Sequence, residues 1–411
     1  MKEKVKEYIL SNWKNTIKEV HQEPVRGDDL LALPYPFTSP SEKGRNYFQM
    51  MFYWDTYFIN VGLLRSDLLQ QAINNCENVS YIIEKYGYFP NGSTKYFLRV
   101  RTQIPFFAFM VRDIYEYTHD DEWLRSKYAV IKKEYDWWQE KRTTNMGLNR
   151  YGDHGMTIDE YKQNGIHATR RLRIENTFKG DLVKFGQAHC AVCESGWDSS
   201  PRFDDTCMYA CPIDLNCNLY FYEIFLDKIQ KKFAIDDRVD WTEKAAKRKE
   251  LINKYLWNEE KQMYMDYNFV EEKQYDTLSA AALHPYYVGL ADEDKLQGLE
   301  NCYKLFMKKY GLACTDRDYG FFQWSYPNGW APLHCIAFDA LNNYGKREYA
   351  DEVAEKYMQL CERVYKEKSL LSEKFNVIEG NDNTVDEDTE HYYMLGWTAG
   401  VYMYFYSKYK K

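Results

Sequence analysis

Residues 331–368 read "APLHCIAFDALNNYGKREYADEVAEKYMQLCERVYKEK". The first part, 331–341, is apolar on nearly every side when wound as a helix, so it has no face to give to water and belongs inside a larger assembly. The second part, 346–368, repeats apolar residues at helical period with charges between them, the pattern of a helix half buried on a core. The same two patterns recur along the chain. "TYFINVGLL" (56–64), "IPFFAFMVRDIY" (104–115), "PIDLNCNLYFYEIF" (212–225), "TLSAAALHPYYVGLA" (277–291) and "YYMLGWTAGVYMYFY" (392–406) are apolar nearly all round. Amphipathic stretches lie at 120–142 and 241–257, with others near 1–19, 68–86 and 292–309. Six buried helices alternating with six half-buried ones predict an inner ring wrapped by an outer ring: an all-α (α/α)6 toroid, a single domain over residues 1–411. β-signals are few. The segment 145–212 reads as loop or irregular structure, and loops of that length in a compact domain are usually functional.

Composition narrows the function. The chain has 411 residues and a formal charge of −8, which argues against nucleic acid or an anionic membrane as a main partner. Aromatics make up 17% of it, with 38 Tyr and 11 Trp. Such rings suit a small sugar, because they stack on its apolar faces while their polar tips hydrogen-bond. No apolar run approaches the roughly 18 residues a membrane span needs. The charged start "MKEKVKEYILSNWKNTIKEV" reads as an amphipathic helix rather than a signal peptide, so a cytoplasmic protein with reduced thiols is expected. "HCAVC" (189–193) and "CMYAC" (207–211) have spacing that resembles a structural zinc site. The second pair runs straight into an apolar helix, which favours buried thiols, and no metal or cofactor is expected. Nothing in the sequence fixes the oligomeric state.

The polar motifs fall where loops enter the apolar helices, and in a toroid those entries share one end. "ESGWDSSPRF" (194–203) holds Asp198 against Trp197 at a turn. Burial against an indole raises a carboxyl pKa, as a general acid requires. "LLSEKFN" (370–376) places Glu373 beside Lys374, whose charge favours an ionised base. An acid and a base of this kind are what the hydrolysis of a glycosidic bond usually takes. "FYWDTYF" offers Trp54 to stack and Asp55 to grip a sugar diol. "RVRTQIP" carries Arg99, Arg101 and Gln103 at alternate positions, which an extended stretch would point the same way. "QWSYPNGW" carries Gln323, Trp324, Asn328 and Trp330 around a turn. Each has an alternative reading as a helix cap, surface charge or core aromatic. Their repeated placement at inner-helix starts favours a shared pocket.

Taken in order, "YWDTYF", "FPNGSTKYFLRVRTQIPFF", "ESGWDSSPRF", "IDLNCNLY", "LWNEEKQMYMDY", "FFQWSYPNGWAPLHCIAFDALNNYG", "SEKFNV" and "GWTAGV" resemble the trehalase family, glycoside hydrolase family 37, over most of the chain. The resemblance implies an (α/α)6 barrel and hydrolysis of α,α-trehalose with inversion. It implies Asp198 as general acid and Glu373 as the base that activates water. It also implies sugar contacts from Trp54, Asp55, Asn91, Arg101, Gln103 and Trp324, with Arg173 carried over from "RIEN". Two positions depart from the family pattern: Tyr47 stands for a usual arginine and Met50 for a nearby glutamate. The family's glycine-rich lid after the catalytic glutamate is replaced by the acidic "EGNDNTVDEDTEHYY" (379–393). These departures place recognition of the second glucose in question and imply a pocket more open to water. "EKFNVIEG" is also similar to glycoside hydrolase family 63, which shares the barrel and the inverting mechanism. That likeness makes another small α-glucoside, such as glucosylglycerate or kojibiose, the alternative substrate.

Overall fold

The computed structural model describes residues 1–19, 29–385 and 392–409. Helix α1 (Lys2–Asn12) buries Val5 and Ile9. Inner and outer helices then alternate. The inner α2 (Tyr53–Leu63) is followed by the outer α3 (Leu69–Tyr86), and the short α4 (Lys95–Val100) leads to the inner α5 (Phe107–Thr118) and the outer α6 (Asp121–Arg142). A hairpin of α7 (Ile158–Arg171) and α8 (Leu182–Glu194) intervenes. The alternation resumes with α9 (Ile213–Phe233) inside and α10 (Trp241–Tyr255) outside. The fourth inner element is a 3₁₀ turn, Ala280–Leu283, continued by the single turn α11 (His284–Tyr287), with α12 (Leu296–Phe306) outside it. The chain ends with α13 (Ala331–Asn343) inside, α14 (Arg347–Lys368) outside and α15 (Gly396–Tyr409) inside.

The inner helices meet in cyclic order. α2 packs on α5, α5 on α9, α9 on α11, α11 on α13, α13 on α15, and α15 returns to α2. This is the toroid that the alternating patterns predicted. Every side chain of α2 is buried, as a helix without a polar face requires. The ring closes by near-contact of backbone: a Cβ on Gly62 would lie 2.4 Å from Gly400 Cα, and one on Gly400 would lie 2.0 Å from Phe58 O. Only two glycines let first and last inner helices approach this closely.

Buried polar groups brace the ring. Glu134 of α6 accepts hydrogen bonds from Tyr53 of α2 (2.5 Å) and Tyr222 of α9 (2.6 Å), and those hydroxyls accept from Phe107 N and Ala108 N at the start of α5. Burial pushes the Glu134 carboxyl up to about 7, partly offset by the two tyrosines.

Two expectations need correction. The 277–291 segment is buried but not one helix, because Pro285 in the first turn of α11 cannot continue an upstream helix. The 145–212 segment is not mainly irregular, since α7 and α8 occupy much of it. Its helix signals were present: Thr157 and Glu160 form a capping box for α7, and Asp181 caps α8. Interior Gly165 and Gly186 weaken the helical pattern there. This hairpin has a small core of its own, Ala168, Leu172 and Phe185, packed by Ile174, Phe178 and Phe322.

Candidate active site

A cleft of about 460 Å³ opens at the end of the ring where loops enter the inner helices. Its wall includes Trp54, Asp55, Asn91, Gln103, Asp198, Gln323, Trp324, Trp330 and Glu373, nine of the residues singled out from the sequence. Three carboxyl groups therefore face one cavity.

Asp198 follows α8 at a turn. Gly196 makes the turn possible: its φ of +80° disfavours side chains, and a Cβ there would lie 2.8 Å from Trp54 Cε2. Downstream, Ser200 caps the 3₁₀ turn Pro201–Phe203, and buried Arg202 pairs with Asp214 (2.7 Å) and Asp266 (2.9 Å). The loop is thus anchored beneath the cleft. Asp198 Oδ1 is buried without a hydrogen-bond partner. Burial raises the Asp198 carboxyl above its ordinary range, opposed by the charges of Arg101 and Arg171 and by the Cys193 thiol.

Glu373 precedes the strand Lys374–Asn376, which pairs antiparallel with Asn328–Trp330 in the register Trp330 to Lys374 and Asn328 to Asn376. Lys374 Nζ donates to Glu373 Oε2 at 2.9 Å and lies 5.1 Å from the Trp330 ring centre. Trp397 Nε1 donates to Glu373 O at 3.0 Å. Asp55, in the first turn of α2, is held well above the carboxylate range by burial, then by the charges of Glu373 and Asp198.

The aromatic wall is one stack. Trp324 lies parallel to Trp330 at 4.1 Å and leans on Trp197 at 5.2 Å and Trp54 at 5.5 Å. Trp197 is fully buried behind the wall, with the Arg202 guanidinium 4.6 Å from its ring, so it supports the stack from outside the cleft. Gln103 Oε1 accepts from Trp54 N, and Asn91 Nδ2 donates to Cys193 O, tying these amides to neighbouring loops.

The arginines depart from expectation. Thr94 caps α4, so residues 95–100 are helical rather than extended, and Arg99 points outward to pair with Glu160 at 2.5 Å. Arg101 stands behind the cleft wall, its guanidinium 4.9 Å from the Phe97 ring, and acts on Asp198 by its charge. Arg173 does not line the cleft. It sits past the end of α7 at φ +55°, over the exposed ring of Phe321 at 4.3 Å. The α7 arginine whose charge reaches Asp198 is Arg171. Phe48, Phe52, Gly196, Met394 and Trp397 also line the cleft and were missed.

The Tyr47 hydroxyl donates to Tyr393 O at 3.0 Å, and its ring meets Tyr392 edge-on. Of the acidic 379–393 segment, 386–391 lie outside the described residues. Residues up to 385 fold back on the strand pair, with Asn328 exchanging hydrogen bonds with Val385. All ten cysteines are free and buried. Cys193 Sγ lies 3.7 Å from His189 Nε2, and Cys211 Sγ lies 3.8 Å from Thr144 Oγ1. Among the described residues, no group of three or more His, Cys, Asp or Glu side chains is placed to hold a metal ion.

A helical toroid with paired carboxyls and stacked tryptophans at one mouth defines a glycoside hydrolase. The family model described as Trehalase matches residues 1–410, and the chain belongs to that family. It is 30% identical to a periplasmic trehalase of Pseudomonas aeruginosa, over 96% of this chain and 74% of the relative. It is also 30% identical to a periplasmic trehalase of Escherichia coli strain SMS-3-5, over 97% of this chain and 73% of the relative. The structure of the neutral trehalase Nth1 from Saccharomyces cerevisiae superposes with a TM-score of 0.77 at 25% identity, covering 98% of this chain and 79% of that one. A family 63 mannosylglycerate hydrolase from Thermus thermophilus shares the fold at TM-score 0.66 and 14% identity, covering 98% and 100%. The expected cytoplasmic location is contradicted, because relatives matched over nearly the whole chain are named periplasmic trehalases. The charged N-terminal segment misled because its residues serve the fold: α1 packs Val5 and Ile9 into the core and leaves its charges outside.

Proposed function

We propose that this glycoside hydrolase cleaves α,α-trehalose to glucose with inversion, as one catalytic domain over 1–411, with Asp198 as general acid and Glu373 as general base. Asp198 gives its proton to the glycosidic oxygen as the C1–O bond breaks. Water attacks C1 from the opposite face and loses its proton to Glu373. The carrying observation is that both carboxyls line one cleft, one of them buried with an unpartnered oxygen and the other bonded to an ammonium. The tryptophan stack supports a sugar ring as ligand. Trp54, Asp55, Asn91, Gln103 and Trp324 are the proposed sugar contacts at the cleft wall, and Arg101 contributes from behind it.

The test is hydrolysis of trehalose measured beside kojibiose and glucosylglycerate, with product anomers followed by NMR. Trehalose is expected to be preferred and to yield one β- and one α-glucose per turnover. Asp198→Asn and Glu373→Gln are each expected to lower kcat by about 10²- to 10⁴-fold. Two α-anomers at early times, or full activity in either variant, would overturn the corresponding assignment.

A further inference from the structure

Gln323 lies between the two carboxyl-bearing loops, and both ends of its amide are engaged. Its Nε2 donates to the main-chain oxygen of Asp198 at 3.0 Å. Its Oε1 accepts from Lys374 Nζ at 3.4 Å, and that ammonium donates to Glu373 Oε2 at 2.9 Å. A chain of side-chain contacts therefore runs from the backbone of Asp198 to the carboxylate of Glu373. Its members are buried: Gln323 is 8% exposed and Lys374 4%. Its middle is fixed as well. The main-chain oxygen of Gln323 accepts from Asn328 Nδ2 at 3.0 Å and Trp330 Nε1 at 3.2 Å, and Trp324 N donates to Ser199 O at 3.3 Å.

We infer that Gln323 and Lys374 are positioning residues that together set the spacing of the two carboxyl groups. This rests on the reading of Asp198 and Glu373 as acid and base, and it gives Gln323, a pocket candidate from the sequence, the role of spacer. Inversion needs a gap that admits both the bond and one water, roughly 6.5–9.5 Å between carboxyls. Nothing in the sequence joins the loops that carry them. A misplacement of about 1 Å can cost about 10²-fold in rate, so a direct link across the cleft wall has a kinetic consequence. The ammonium also occupies one oxygen of Glu373, which restricts rotation of that carboxylate.

The experiment compares Gln323→Leu, Lys374→Met, the double variant and Lys374→Arg on whichever α-glucoside the wild type hydrolyses best. Each single loss is expected to lower kcat about 10- to 100-fold with KM changed less than about threefold. The double variant should be no slower than the worse single, since either break severs the same link. Lys374→Arg should recover part of kcat. Multiplicative losses in the double variant, or a raised KM at unchanged kcat, would overturn the inference and make Gln323 a direct substrate contact. If Lys374→Met does not fold, Gln323→Glu replaces it, keeping an acceptor for Lys374 and losing the donor to Asp198. It should then match Gln323→Leu, and wild-type kcat would refute the link. If the wild type turns over no α-glucoside, the functional proposal fails by itself. Crystal structures of wild type and Gln323→Leu then decide the spacer role, with an unchanged Asp198 to Glu373 separation counting against it.

Discussion

At the scale of single residues, the protonation of Asp198 is a contest between burial and two guanidinium groups. Burial raises its pKa, and the Arg101 and Arg171 charges draw it back down. Removing one positive charge weakens the opposing side, so Arg171→Met should let the Asp198 pKa climb. An acid that must be protonated then stays competent to higher pH, and the basic limb of the kcat/KM profile should move upward. A basic limb that stays in place or moves down would show that Arg171 does not act on the acid. Most of the cleft was legible because its residues stand in motifs at or ahead of inner helices: Trp54 and Asp55 in the first turn of α2, Gln323 and Glu373 in the segments that lead to α13 and α15. The arginine was not, because a helix end decides which of two neighbours brings its charge to bear on Asp198. Arg171 lies within the last turn of α7, while Arg173 lies beyond it with left-handed backbone. Phe48, Phe52, Met394 and Trp397 escaped for another reason: an apolar residue that lines a cleft has the same sequence pattern as one that fills a core.

At the scale of elements, the seam between α2 and α15 has no room for a side chain. Gly400→Ala would drive a methyl into the carbonyl of Phe58 and should cost about 1–3 kcal/mol or more through forced separation of the helices. Urea unfolding measures this directly, and an unchanged midpoint would mean the seam yields freely. Gly196→Ala belongs to a different element and should act differently. It strains a φ of +80° and presses on Trp54, so lowered activity at moderate cost in stability is expected, read by comparing kcat/KM with the unfolding midpoint. The alternation of apolar and amphipathic segments made the ring legible. The α7–α8 hairpin was less so, since it packs mainly on itself around a small core and takes no part in the ring's pattern.

At the scale of the whole molecule, Glu134 links four helices through one buried carboxyl. Its pKa rises from an ordinary 4.5 to about 7 on folding. Between those values the folded protein holds a proton that the unfolded chain releases, so this group's contribution is fully present below about 4.5 and is lost as pH rises through about 7. Glu134→Gln removes the titration, and its melting temperature minus that of wild type should rise from pH 5 to pH 8. A difference independent of pH would mean the carboxyl is already ionised in the fold at low pH. The closed ring also imposes an order on biogenesis. A ribosome delivers α2 early, but the helix that seats against its glycine is made long afterwards, once every other inner helix has emerged. Until then the face of α2 that α15 covers has no partner within the chain, and the catalytic mouth, which Trp397 of α15 helps to line, is incomplete.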